Sequence, residues 1–191
     1  MKITPLGIKG AWLAESKVWN DERGFFREWF KDSEILENTG INFSVKQANF
    51  SISQKGVIRG IHYSLNPHEQ SKWITCVSGV IVDVIVDIRP ESPTFKEVEY
   101  VELKPGDGKS VLISHGLGHG FISLENGSGV SYLLNAPYNP DLELGINPFD
   151  QELGVDWEKF SSDRSTPVVS ESDQIAPSLK ELFDTGQLPG N

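Results

Sequence analysis

The stretch Gly56–Tyr63 carries a cation and an imidazole inside an otherwise apolar run. Arg59 and His62 stand three residues apart among valine, isoleucine and tyrosine. Charge buried in a strand is unfavourable unless it is paired or used for binding. Taken alone, each residue is most simply an edge-strand arginine or a histidine with satisfied hydrogen bonds. Together, three residues apart and flanked by other predicted strands that carry polar residues, they favour a ligand site.

Other polar side chains in predicted strands or near the chain end extend this set, namely Lys72, His119, Tyr132 and Asp173. Two familiar catalytic patterns do not fit. Gly116–Gly120 has the wrong spacing for a dinucleotide loop and no helix follows it. Ser114 lacks the preceding glycine that a nucleophile elbow requires. For Tyr132, a buried core position between Val130 and Leu134 is an equally simple interpretation.

A metal site is the main alternative, because histidine and carboxylate side chains are common metal ligands in β-barrels. Two features oppose it. Tight His-x-His spacing within one strand is absent, and Arg59 and Lys72 would place positive charge beside the ion. We therefore expect no metal. The ligands that this alternative would use are His62, His68, Glu69, His115 and His119.

Composition limits the class of protein. The chain has 191 residues, a net charge of −10 and a pI near 4.8, which argues against a nucleic-acid binder. The single cysteine, Cys76, excludes an internal disulfide and favours a buried thiol. No secretory signal and no apolar run of about 20 residues is present, so we expect a cytoplasmic protein without a membrane segment.

Short strands separated by turn residues dominate the chain and predict an all-β fold. One helix is predicted over Asp32–Thr39 with Gly40 as its C-terminal cap, and a second short one over Pro177–Phe183. Asn126-Gly127 predicts a hairpin, because both residues tolerate positive φ. No linker divides residues 1–191, so one domain is expected. The predicted strands include 25–30, 42–53, 56–63, 71–77, 80–89, 97–103, 110–114, 118–124 and 129–135.

Strand alternation assigns side chains to faces. Val82, Val84, Val86 and Ile88 form one apolar face, opposite two aspartates. In the strand predicted over 42–53, one face is polar. It is either the lining of a polar site or a solvated face, and the solvated face is the simpler explanation. That face carries Gln47, Asn49 and Ser51.

Alternation also separates Arg59 from His62. Strict alternation places them on opposite faces of one strand. They reach one pocket only if the strand is irregular, and Gly60 between them is the residue where a bulge can form. We predict an irregularity at Gly60.

Several short stretches in a fixed order resemble the dTDP-4-dehydrorhamnose 3,5-epimerase family of nucleotide-sugar enzymes. Each stretch alone is weakly specific, but the ordered set runs from residue 21 to residue 177. The stretches are Asp21–Phe26, Gln47–Ser51, Gly56–Tyr63, Val82–Val84 with Asp87–Arg89, Ser92–Phe95, Gly118–Phe121, Leu153–Trp157, Ser170–Asp173 and Ala176-Pro177.

The resemblance implies a cofactor-free double-stranded β-helix, a cupin-like jelly roll with a few short peripheral helices, assembled as a homodimer. It implies epimerisation of dTDP-4-dehydro-6-deoxy-D-glucose beside its 4-ketone, on the way to dTDP-L-rhamnose. His62 is then the base, Asp173 its orienting partner, Lys72 the enolate stabiliser and Tyr132 the acid. The implied substrate-binding residues are Arg23, Phe26, Glu28, Gln47, Asn49, Arg59, His119, Tyr138 and Glu143.

Three alternatives remain open from the sequence. One is an epimerase that inverts a single carbon in a deoxysugar pathway. The others are a metal-dependent cupin enzyme and a sugar-binding jelly roll without catalytic activity. Positions where the chain departs from the usual family residues bear on the first alternative. They include Phe50, Leu133 and Ser172, with Trp73 and the loop 135–137 as further departures.

Overall fold

The computed structural model describes residues 1–160 and 167–190. No helix in this part of the chain is long and apolar enough to cross a membrane. Its helices are α1 (Asp32–Thr39), α2 (Glu171–Gln174) and α3 (Leu179–Asp184), with 3₁₀ turns at Gln151–Leu153 and Glu158–Phe160. Its strands are β1 (Lys2–Pro5), β2 (Ala11–Glu15), β3 (Val18–Asp21), β4 (Gly24–Arg27), β5 (Gln47–Ser53), β6 (Ile58–Ser64), β7 (Lys72–Ser78), β8 (Ile81–Asp87), β9 (Val98–Leu103), β10 (Lys109–Ile113), β11 (Leu117–Ser123), β12 (Ser128–Leu134) and β13 (Glu143–Gly145).

Two antiparallel sheets and a separate β3–β4 hairpin contain all the strands of the described residues. One sheet has the order β1-β2-β10-β7-β12-β5, and the other has the order β13-β6-β11-β8-β9. The chain passes repeatedly from one sheet to the other between β5 and β13. This is the cupin-like jelly roll predicted from the sequence.

The turn at Asn126-Gly127 differs from the prediction. It connects β11 to β12, which lie in different sheets, so these strands do not form a hairpin. Gly127 has a positive φ of 77°, but Asn126 does not. The pair therefore does mark a turn, although only its glycine has positive φ. The prediction of a hairpin is wrong, because packing between the sheets decides which strands pair.

Three clusters of buried apolar side chains hold these layers together. The first lies between the sheets and includes Ile74, Ile85 and Phe121. The second packs the face of β8 that carries Val84 against the C-terminal segments. The third covers the outer face of the six-stranded sheet with α1, through Ile35. The apolar face predicted for β8 is confirmed, and both faces of this sheet are covered.

The first helix has the predicted bounds. It ends at Gly40, whose φ of 75° lets its backbone N–H reach the Leu36 carbonyl. The flanking strands are shorter than predicted. Strand β4 ends at Arg27, and β5 begins only at Gln47. The residues in between pack on the outer face of the six-stranded sheet and do not extend its strands.

The predicted irregularity at Gly60 is confirmed. Along the β6–β11 pair, His62 lies opposite His119 but Arg59 lies opposite Phe121, so β6 contains one extra residue. Gly60 has a φ of 121°, and an added Cβ would lie 2.6 Å from the Gly120 Cα. The bulge brings the side chains of Arg59 and His62 to the same cavity.

Replacing Gly60 with alanine should destabilise the fold by roughly 3 kcal/mol, through backbone strain plus a clash with β11. Gly24→Ala is the matched control, since its φ is 125° and no atom lies within 4 Å of the added Cβ. It should cost only about 1–2 kcal/mol. Urea unfolding measures both, and equal losses would contradict the close-approach explanation.

Candidate active site

A cavity of about 610 Å³ opens where the two sheets face each other. We call it the inner cavity. Strands β5, β6, β7, β11 and β12, together with α2 and the residue before it, contribute its polar lining. It brings together six of the polar residues singled out in the sequence, namely Arg59, His62, Lys72, His119, Tyr132 and Asp173.

His62 and Asp173 form a hydrogen-bonded pair across 111 residues of sequence, with 2.7 Å between Nε2 and Oδ1. The Asp173 side chain is 9% exposed and that of His62 is 47% exposed. Burial raises the pKa of Asp173, but the hydrogen bond and charge of His62, with Ser170 and the Gly60 backbone, bring that pKa below its ordinary value. The carboxylate therefore orients the imidazole and leaves Nδ1 free for proton transfer.

Lys72 opens β7 and reaches into the same cavity without an ion-pair partner within 4 Å among the described residues. Burial lowers its pKa, and the charges of Glu143 and Asp83 offset that effect only in part. An unpaired buried cation of this kind is suited to an anion that arrives with a ligand.

Tyr132 lies on β12, in the sheet opposite His62, and lines the inner cavity. It is half-buried, with Ile74 on one neighbouring strand and Asn49 on the other. It is therefore not the closed core tyrosine that periodicity also allowed. A ligand between the sheets would have His62 on one side and Tyr132 on the other.

Two further donors face the cavity. The Arg59 guanidinium donates to Ser53 Oγ at 3.1 Å and to the Ile52 carbonyl at 3.3 Å. The His119 Nε2 lies 2.7 Å from Asp83 Oδ1. Asp83 carried no assigned role in the sequence interpretation. A charged residue within the most apolar strand is the signal that indicates it.

A second opening of about 570 Å³ shares His62 and Asp173 with the inner cavity. We call it the outer cleft. Tyr138 and Glu143 line it, and Glu143 accepts a hydrogen bond of 2.8 Å from Gln70. The ring of Tyr138 is 60% exposed and available for stacking on a flat ligand.

In strand β5 the polar face points inward and the apolar face points outward, the opposite of the simplest expectation. Ala48, Phe50 and Ile52 are exposed on the outside, whereas the polar row is half-buried and Ser51 lines the inner cavity. Gln47 donates to Asn49 at 2.9 Å and accepts from the Tyr138 backbone at 2.8 Å. The expectation of a solvated polar face is therefore wrong for this strand.

Five predicted substrate-binding residues line neither the inner cavity nor the outer cleft of their own chain. Gln47 and Asn49 lie on β5, and the other three lie on or next to the β3–β4 hairpin. The Arg23 side chain is 85% exposed and paired with Asp21 at the tip of the β3–β4 hairpin. Phe26 is exposed beside Trp19, with ring centroids 5.7 Å apart. Glu28 is also exposed and lies just beyond β4. A single copy therefore leaves these three residues away from His62.

The histidines considered as metal ligands are dispersed. Only His62 and His119 reach the inner cavity, His68 lies 4.0 Å from Glu143, and His115 is exposed. Within residues 1–160 and 167–190, no three histidine, cysteine or acidic side chains are grouped as metal ligands.

Of the departures at Phe50, Leu133 and Ser172, one reaches the site. Ser172 lines both the inner cavity and the outer cleft. Leu133 is buried in the cluster under α1, and Phe50 is exposed on the outside of β5. Changes at the last two positions therefore do not alter the lining of the inner cavity.

Comparisons with known proteins agree with this geometry. A sequence model described as dTDP-4-dehydrorhamnose 3,5-epimerase matches residues 5–181. An enzyme of that name from Mycolicibacterium smegmatis is 42% identical over 99% of this chain and 91% of its own length.

Two solved structures are similar throughout. An epimerase of Mycobacterium tuberculosis has a TM-score of 0.94 and 40% identity over 100% of this chain and 94% of its own. ChmJ, a 3'-monoepimerase from Streptomyces bikiniensis in complex with dTDP-quinovose, has a TM-score of 0.91 and 38% identity over 97% and 92%. With this agreement in sequence and fold, the chain belongs to the dTDP-4-dehydrorhamnose 3,5-epimerase family of isomerases.

Proposed function

We propose that this chain epimerises dTDP-4-dehydro-6-deoxy-D-glucose at carbons 3 and 5 without a cofactor, giving dTDP-4-dehydro-L-rhamnose. One observation carries the proposal. The His62–Asp173 pair shares a cavity with a tyrosine on the opposite sheet and with a lysine that forms no ion pair to any residue the structure describes. These are a base, an anion stabiliser and an acid, the three groups that inversion beside a ketone requires.

Inversion at each carbon requires the removal of one proton and the addition of another. The 4-ketone acidifies the C–H bonds on either side of it. His62 takes one of these protons, and the bonding electron pair moves onto the ketone oxygen to form an enolate beside the Lys72 ammonium. Tyr132 then donates its phenolic proton to the other face of the carbon. Imidazolium and phenolate return to their starting states by exchanging one proton each with solvent.

Other residues in and near the two openings suit a nucleotide diphosphate. Arg59 and His119 provide donors for phosphate or sugar oxygens, and the exposed Tyr138 ring offers a stacking surface for thymine. Gln47, Asn49 and Glu143 would hydrogen-bond the base or the sugar. ChmJ was solved with dTDP-quinovose, which supports a dTDP-linked sugar as the ligand of this chain.

We also propose a homodimer in which Arg23, Phe26 and Glu28 act on the substrate of the second copy. Their own cavity is out of reach, and they lie on or next to an exposed hairpin. The outer face of β5, with Phe50 60% exposed, provides apolar surface that a second copy can bury. The cytoplasmic location and the single domain over 1–191 remain predictions.

Mixing two inactive variants tests the shared site. Arg23→Ala removes a residue donated to the partner, and His62→Asn removes the local base. Random mixing by co-refolding should restore about a quarter of wild-type activity, since about half the dimers are mixed and each carries one intact site. Activity equal to the average of the two separate variants would show that Arg23 does not act across the dimer.

Product analysis tests the function itself. Nuclear magnetic resonance of the reaction mixture should show the L-configured sugar, inverted at both carbons. The similarity to ChmJ supports a second candidate, inversion at carbon 3 alone, which would give a single-inversion product. Tight binding of the substrate without turnover would contradict both and leave a sugar-binding protein. Elemental analysis of the active protein tests the metal-dependent alternative.

Tyr132→Phe should separate proton removal from inversion. His62 still forms the enolate, so solvent deuterium should exchange into the substrate within about tenfold of the wild-type rate, whereas inverted product should fall by at least about 100-fold. Tyr63→Phe is the control, since Tyr63 is buried and donates to the Gln187 carbonyl. Equal losses of exchange and inversion in Tyr132→Phe would contradict its role as the acid.

A further inference from the structure

Strand β8 carries a buried carboxylate that the proposed mechanism does not use. Asp83 has 0% exposure and stands between Val82 and Val84. Removing a carboxylate from water costs several kcal/mol unless its oxygens are well paired. A neutral residue would avoid this cost, so the charge requires an explanation.

The contacts of Asp83 are one-sided. Its Oδ1 lies 2.7 Å from His119 Nε2. Its Oδ2 is buried and has no hydrogen-bond partner among the described residues. A carboxylate that served packing alone would be expected to use both oxygens, as Asp87 on the same strand does with Arg89, Ser92 and Thr94.

The residue that Asp83 holds is at the centre of the site. His119 is directly opposite His62 in the β6–β11 ladder, and both line the inner cavity. Each imidazole thus has a carboxylate 2.7 Å from its Nε2, Asp173 for His62 and Asp83 for His119. The two histidines lie on adjacent strands of the cavity, and each is paired with a carboxylate from another element.

We propose that Asp83 is a positioning residue that acts through His119. By accepting a hydrogen bond from Nε2–H, it fixes the ring so that Nδ1 faces the cavity, where Nδ1, protonated when the anionic substrate binds, donates to an anionic oxygen of the substrate. That oxygen belongs either to the diphosphate or to the enolate. The inference rests on the proposed function, because it assigns His119 to the same substrate.

A double-mutant cycle tests the coupling. Asp83→Asn keeps the size of the side chain but presents an amide, and it should lower kcat/KM by about 10- to 100-fold, as for groups that orient functional histidines. In a His119→Asn background the same change should cost less than about threefold, because the coupled residue is already gone. Equal losses in both backgrounds would overturn the proposal.

Two controls separate positioning from folding. Asp87→Asn alters a buried carboxylate of the same strand that holds no histidine, and it should lower the melting temperature while leaving kcat/KM of the folded protein unchanged. Nitrogen-15 spectra of the free protein should show His119 protonated at Nε2 in the wild type and altered in Asp83→Asn. Unchanged His119 signals would contradict the proposal, whatever the outcome of the activity assays.

Binding of dTDP alone distinguishes the two sources of the oxygen. If Nδ1 contacts the diphosphate, Asp83→Asn should weaken dTDP binding and raise KM. If it contacts the enolate, dTDP binding should be unchanged and kcat should fall. If Asp83→Asn leaves both dTDP binding and kcat at their wild-type values, the proposal is overturned. A wild type without turnover would instead count against the proposed function, and the spectra would still report on Asp83 and His119.

Discussion

Replacing His62 with asparagine is expected to lower kcat by about 1000-fold or more, at the upper end of what a general base contributes. Asparagine can still donate to Asp173, so the change removes the base while retaining a hydrogen bond at that position. Exchange of solvent deuterium into the substrate should fall with kcat, since His62 is the group assigned to take that proton. Steady-state rates and mass spectrometry measure the two quantities.

His115→Asn is the matched control for this prediction. His115 is exposed outside the inner cavity, and its replacement should leave kcat unchanged. Binding of dTDP to His62→Asn, measured by calorimetry, should stay close to the wild-type value. Deuterium exchange at the wild-type rate in His62→Asn would show that another residue is the base.

Replacing Lys72 with methionine is expected to lower kcat by about 100- to 1000-fold, the loss seen when one stabilising donor for an oxyanion is removed. The same change should raise the free energy of unfolding by about 1 kcal/mol, because burial disfavours the ammonium in the native state. Enzyme assays and urea unfolding should therefore move in opposite directions. Lys2→Met, at an exposed position, should affect neither.

The pH dependence follows from the lowered pKa of Lys72. The ammonium is present below that pKa and is lost as pH rises through it, at a lower pH than for an ordinary lysine. Activity should therefore fall on the alkaline side. In Lys72→Arg the residual activity should persist to higher pH, because guanidinium stays protonated. If the activity of both proteins falls over the same alkaline pH range, the loss of the Lys72 proton is not its cause.

Alternation and turn chemistry predicted most of the strand content, and one local conflict in the sequence predicted the irregularity of β6. Arg59 and His62 can share a cavity only with an extra residue in the strand, and Gly60 is where the structure has it. The bounds of α1 followed from its glycine cap. These features depend on short-range geometry, which a sequence expresses directly.

The features that were missed depend on partners distant in sequence. The inward face of β5 is polar because it faces a cavity, whereas its outward face is apolar, so polarity alone assigned the faces wrongly. Asn126-Gly127 indicated a turn but not that its strands join different sheets. Asp83 could be noticed as a charge in an apolar strand, but its contact with His119 is visible only in the fold.

The central claim is that a carbanion beside the 4-ketone is formed and reprotonated within the inner cavity. The most direct test is to incubate the wild-type protein with dTDP-4-dehydro-6-deoxy-D-glucose in deuterated water and to locate deuterium in the product. We expect the wild-type product to carry deuterium at carbons 3 and 5, both of them inverted. With His62→Asn we expect no deuterium at either carbon. Product that carries solvent deuterium at neither carbon would contradict the account.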